Sequence, residues 1–238
     1  MKSNLNSHSA IHFLVELRSR LMVSFVVLFV FLAISLYFAN HLYTLLAHPL
    51  LQFLPQGHLI ATQIVSPFFV PFKLAFSVAV LFAMPFFLYQ LWGFVAPALY
   101  GHEKRLVWPF LLVSAFLFYA GILFAYFVIF PTLFRFLSHV APRGVVFSPD
   151  ISEYLDFSMK LLLVFGCLFE IPMIMVLLVS TQIVPRAWFV KMRSYAIVFA
   201  FVLGMLLAPP DVFSQTVLAI PIWLLYETGI FMTKFIRK

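Results

Sequence analysis

Past Leu21 the chain is written as long apolar runs separated by short polar breaks, and this alternation sets the first expectations for its structure. Apolar runs occupy residues 21–39, 67–92, 106–134, 151–179, 195–208 and 212–231. An α-helix rises about 1.5 Å per residue and a bilayer core is about 30 Å thick, so about 20 apolar residues make one crossing. The pattern predicts six transmembrane helices. The third run would be roughly 43 Å long and must tilt or project from the bilayer. The fifth, at roughly 21 Å, is too short, so either the bilayer thins beside it or it borders a wet cavity. Ahead of the first run, Ile11, Leu14 and Val15 set against His12, Glu16 and Ser19 predict a short amphipathic helix lying along the interface.

The breaks carry their own signals. Residues 40–65 contain Pro49, Pro55 and Gly57 but no lysine or arginine, and read as an exposed loop with one short helix. Ser66 and Pro67 form a helix start, and Pro85 is expected to kink the helix that follows. Pro97 falls in the next break. Asp150, with Ser152, Glu153 and Asp156 after it, gives the fourth helix an acidic, capped start. Pro209, Pro210 and Asp211 make a tight turn in which Asp211 can cap the sixth helix, and Pro221 is expected to interrupt that helix.

Composition sharpens the class. The chain is 64% hydrophobic and 10% charged, with a mean hydropathy of +1.09, against about 25% charged residues in soluble domains. It reads as an all-α membrane protein, one polytopic domain over residues 1–238 with no separate soluble domain. The net charge of +7 follows topology and does not call for a nucleic-acid partner. Arg18 and Arg20, Lys104 and Arg105, the group Arg186, Lys191 and Arg193, and the closing Lys234, Arg237 and Lys238 all fall on one side, against Arg135 and Arg143 on the other. That bias predicts both termini in the cytoplasm.

Catalytic chemistry finds no foothold. A single cysteine, Cys167, allows no intramolecular disulfide and no cysteine metal site, and the histidines have no metal-like spacing. Protease, nucleotide-binding and hydrolase motifs are missing, so the expectation is a non-enzyme without cofactor or metal.

Four positions stand out instead. Glu16 and Glu103 are acids on an otherwise basic face, and the densest chemistry in the chain, Pro85 to Arg105, surrounds the second. One reading pairs them locally, Glu16 with Arg20 and Glu103 with Lys104 or Arg105, for a few tenths of a kcal/mol each. The other makes them a receptor for a cationic ligand, arginine above lysine because its planar fork bonds a carboxylate through two parallel N–H groups. Glu170 lies roughly 15 Å along the helix from Lys160, near mid-membrane. An acid there faces protein or water, or pairs with a hydroxyl or amide. Gln215 is placed to bond a neighbouring helix. Two classes of function remain open on these residues, a peptide receptor and a proton-coupled small-solute transporter using Glu170.

Six stretches in order add a resemblance that covers nearly the whole chain: ELRSRL from Glu16, SPFFVPFKL from Ser66, PFFLYQLWGFVAPALYGHEKR from Pro85, FAYFVIFP from Phe124, FGCLFEIP from Phe165 and GMLLAPPDVFSQ from Gly204. With these the chain resembles the TatC family, receptor subunits of the twin-arginine protein translocase. The resemblance implies a cupped, glove-like bundle of six helices in the bacterial inner membrane. It implies a homo-oligomeric resting complex with the single-span protein TatB, and recruitment of TatA to export folded proteins on the proton-motive force. It assigns twin-arginine signal-peptide binding to Glu16, Glu103, Phe94, Arg18 and Gln90, an intramembrane cavity to Glu170, and partner-helix contact to Met205 and Gln215. Pro85, Pro97, Pro209, Pro210 and Asp211 are its turn and cap positions. Phe13 stands where the family often has histidine, and Ala208 where it often has threonine, which removes a polar contact and shifts weight to Gln215.

Overall fold

A computed structural model describes residues 3–52, 59–62, 64–99, 107–140, 149–208 and 211–235; for residues 3–14, 16, 17, 91–99, 107 and 108 it describes the backbone alone. The architecture is helical throughout, with one isolated bridge, Ile60 to Asp150, among the described residues. Five stretches are long and apolar enough to cross a membrane, 18–37, 66–90, 109–140, 151–180 and 212–235. The fifth apolar run forms a shorter helix, α9 (Arg193–Leu207).

Helix α1 (Ser3–Tyr37) is continuous. The separate interfacial helix expected before the first crossing is therefore not a separate element: no proline or glycine interrupts the chain between Ser3 and Tyr37, and the amphipathic turns simply extend the span. The next loop is more ordered than its prolines suggest, because α2 (Ala39–Leu51) takes up half of it. Helix α3 (Ser66–Leu99) runs through Pro85 and Pro97 and past the expected end near Trp92. A proline costs a helix one hydrogen bond, but unwinding in hydrocarbon would strand many backbone groups, so the helix persists. The same reasoning covers Pro221, which lies inside the uninterrupted α10 (Val212–Met232).

The third crossing has an unexpected feature. Helix α4 (Val107–Phe124) widens into a π-helical turn (Ala125–Ile129) and continues as α5 (Phe130–Val140). The turn sits directly ahead of Pro131, which cannot donate to the Phe127 carbonyl and whose ring would crowd it; the wider turn makes room. The fourth crossing is broken in two, α6 (Ile151–Leu168) and α7 (Ile171–Ser180), with Phe169 and Glu170 at the joint. A short helix α8 (Arg186–Lys191) then leads into α9.

The core lies among α3, α4, α5 and α6, where Leu74, Phe118, Phe130, Leu133, Leu161 and Phe165 are wholly buried. Helix α1 packs chiefly on α3, Leu28 against Ala79 and Ala83. Facing outward are Phe25, Phe29, Phe72, Phe116 and Phe127, all exposed. Such a surface is an aggregation liability in water and the expected one in lipid.

Candidate functional site

Three places hold the residues singled out by the sequence. The first is where α1 meets the end of α3. Arg20 donates from Nη1 to the side-chain oxygen of Gln90 at 3.2 Å and to its carbonyl at 3.4 Å. Ser24, buried one turn on, bonds back to the Arg20 carbonyl at 2.9 Å. Glu16 is one turn before Arg20 on α1 and Phe94 one turn after Gln90 on α3, so their backbone positions continue the same antiparallel seam toward the helix ends. Arg18 is exposed beside it. Glu103 lies outside the described residues, as do Pro209 and Pro210. Arg20 entered the sequence reading only as a topology charge and a local partner for Glu16. Its contact with Gln90 spans 70 residues and leaves no local signal.

The second place is the joint between α6 and α7. Pro172 has no N–H for the Leu168 carbonyl, and the helix restarts with the Ile174 amide on the Glu170 carbonyl at 2.9 Å. Glu170 is 5% exposed. Its carboxyl oxygens make no hydrogen bond of standard geometry among the described residues, and the polar side chain that interacts with it is Ser114 of α4, itself wholly buried. Helices α4 and α6 reach this closeness through two glycines. A Cβ on Gly121 would meet the Phe165 carbonyl oxygen at 2.5 Å, and one on Gly166 would meet the Phe118 ring at 2.6 Å. The sequence expectation left Glu170 facing a cavity, protein or a hydroxyl; the structure sets it against protein, with a serine hydroxyl.

The third place is the α9–α10 hairpin. Asp211 caps α10, accepting from the Ser214 amide at 2.7 Å. Gln215 donates from Nε2 to the Phe201 carbonyl of α9 at 3.0 Å, so the neighbouring helix it bonds belongs to its own chain. Gly204 lets the two helices close, since a Cβ there would sit 2.9 Å from the Gln215 carbonyl oxygen. Met205 is exposed. An apolar groove of about 190 Å³ runs between the helices, lined by Ile197, Ala200, Phe201, Ala219, Ile220 and Trp223.

On the opposite side from the α1–α3 seam, the loops are latched. Ile60 and Asp150 pair through the Ile60 amide on the Pro149 carbonyl at 3.2 Å and the Ile151 amide on the Ile60 carbonyl at 2.9 Å. The Asp150 carboxylate accepts from the Thr62 hydroxyl at 2.6 Å, the Thr62 amide at 2.8 Å, and the amides of Ser152 and Glu153. Those donors, the Thr62 hydroxyl foremost, hold its pKa down at about 2. Lys73 of α3 meets Asp156 of α6 at 2.5 Å. No metal-binding cluster of histidine, cysteine or acid occurs among the described residues.

Long apolar helices with aromatic outer faces, a polar seam at one end and latched loops at the other define a multi-pass membrane protein. The family model described as "Sec-independent protein translocase protein (TatC)" matches residues 12–221. A Sec-independent protein translocase protein TatC from Escherichia coli strain K12 is 51% identical over 223 residues, 93% of this chain and 86% of the relative. One from Azotobacter chroococcum is 49% identical over 225 residues, 94% and 88%. A crystal structure of the twin-arginine translocase receptor TatC superposes with a TM-score of 0.85 at 38% identity, over 95% of this chain and all of that one. The chain belongs to the TatC family of protein translocase components, which are not enzymes. Membership sets aside the small-solute transporter.

Proposed function

We propose that this chain is the signal-peptide receptor subunit of a twin-arginine translocase. The observation that carries the reading is the Arg20–Gln90 bond, which ties α1 to α3 and puts the backbone positions of Glu16 and Phe94 on one seam. Two carboxylates, Glu16 and Glu103, take the paired guanidinium groups through bidentate charge-assisted bonds. Phe94, Gln90 and Arg18 position the peptide around them, and Arg20 holds Gln90 in place. In this reading α9 is also a span and brings the five long ones to six, both termini are cytoplasmic, and the membrane is the bacterial inner membrane.

The apolar groove between α9 and α10, together with the exposed Met205 one turn beyond Phe201 on α9, docks the single helix of TatB or TatA. Copies of the chain assemble through that complex, and folded precursors cross on the proton-motive force. The apolar part of the peptide lies against the bundle near Glu170, whose own carboxyl is buried beside Ser114. The test is binding of a synthetic Arg-Arg signal peptide and its Lys-Lys twin to the purified, detergent-solubilised chain. Binding at least about tenfold tighter for Arg-Arg, about 1.4 kcal/mol, supports the receptor; equal binding overturns it.

A further inference from the structure

Lys160 is a charge with no explanation in the proposed receptor. It lies about 14 Å along α6 from Ile151, and its ammonium donates to the Leu206 carbonyl of α9 at 2.8 Å. Leu206 is in the last turn of α9, where carbonyls lack helical partners and carry the negative end of the helix dipole. As a helix cap, then, Lys160 is well used. A cap takes only one of three N–H donors, however, and offsets only part of a full charge. No carboxylate pairs with Lys160 among the described residues, and Asp156, one turn earlier on α6, is held by Lys73. Protein does not cover it: Lys160 is exposed, and so are Leu206, whose carbonyl it bonds, Met205 next to it on α9 and Val212 at the start of α10.

The level of this exposed cation is fixed by the helices on both sides. The stretch long enough to cross runs over 151–180, and its last 20 residues, Leu161 to Ser180, already make about 30 Å, the thickness of a hydrocarbon core; with Ser180 taken as one boundary, Lys160 falls where the headgroups of the other begin. Helix α9 ends at that same level, although only about 20 Å separates Arg193 from Leu206. The ammonium has donors to spare and bonds the backbone of an exposed aliphatic residue, Leu206, an arrangement suited to a ligand with acyl chains and an anionic oxygen.

We infer that Lys160 binds the phosphate of a membrane glycerophospholipid, holding one headgroup against the C-terminal end of α9. The phosphate accepts from the donors that Leu206 leaves unused, and the acyl chains lie over Leu206, Met205 and Val212. One consequence is a bilayer surface drawn in to the end of the short helix, so that α9 reaches both headgroup layers.

The test uses the full chain with lysine side-chain nitrogens labelled with ¹⁵N, in phospholipid nanodiscs, and reads ¹⁵N–³¹P dephasing by solid-state NMR. Lys160→Arg keeps the charge and the fold while removing the label at this one position. The expected result is a dephased lysine component in the parent that is missing in K160R. The same component persisting in K160R, or no difference between the two, overturns the inference. A third arm places the parent in phosphate-free detergent and adds millimolar inorganic phosphate. Silence there supports a lipid site, whereas dephasing equal to that in nanodiscs shows a free-phosphate site and overturns the lipid assignment.

Discussion

Tyr126, in the π-helical turn, donates its hydroxyl at 2.5 Å to the carbonyl of Leu45, the α2 carbonyl that Pro49, four residues on and without an N–H, cannot bond. Tyr154 of α6 does the same for Leu46 at 2.5 Å. Two prolines meet in this contact. Pro49 frees the acceptor, and Pro131 induces the turn that carries the donor. Helix α2 is thereby fastened over the bundle by side chains from the third and fourth crossings.

Removing that hydroxyl should loosen α2 first. Tyr126→Phe is expected to cost about 1 kcal/mol, the usual net value of one hydrogen bond. Amide exchange read by mass spectrometry should quicken within residues 39–51 while α6 stays protected. Uniform exchange, or none altered, would show that apolar packing alone holds the helix.

The Asp150 latch should fail in acid. A carboxyl with its folded pKa lowered to about 2, against the ordinary 3.8, stabilises the fold above pH about 4 and loses that contribution as pH falls through about 2. Asp150→Asn should lower the melting temperature of the detergent-solubilised chain at neutral pH, and the gap from the parent should close between pH 4 and pH 2. A gap that stays constant across that window would mean the charge of Asp150 does not hold the loops.

Gly121→Ala probes the approach of α4 to α6 beside Glu170. The new methyl would press on the Phe165 carbonyl at 2.5 Å, a backbone atom that cannot rotate away. Overpacking of this kind costs about 1–3 kcal/mol, and a melting temperature several degrees lower is expected. An unchanged melting temperature would show that the two helices separate freely.

What could be read from the sequence was whatever a few neighbouring residues decide. The caps at Asp150 and Asp211 bond amides two or three residues away, and both were legible. So was the short fifth helix, since its length is a count of apolar residues. Pro97 and Pro221 misled because proline was weighed as a breaker in water, whereas hydrocarbon penalises an unwound backbone more heavily than one missing bond. The π-turn ahead of Pro131 was hidden for the same reason in reverse: the helix kept its course by widening. Arg20 with Gln90, Asp150 with Thr62 and Tyr126 with Leu45 join positions 70, 88 and 81 residues apart, and nothing local in either partner announces the other. Glu170 was legible as an acid in an apolar helix, but its approach to Ser114 depends on Gly121 and Gly166, which spacing alone did not mark.

The receptor reading rests finally on two carboxylates, and the direct measurement is the affinity of an Arg-Arg signal peptide for the purified chain carrying Glu16→Gln and Glu103→Gln together. Each substitution keeps size and removes charge. The expected result is a loss of at least about tenfold, about 1.4 kcal/mol, that brings Arg-Arg binding down to the level of the Lys-Lys peptide. Undiminished Arg-Arg binding by the double variant would contradict the account.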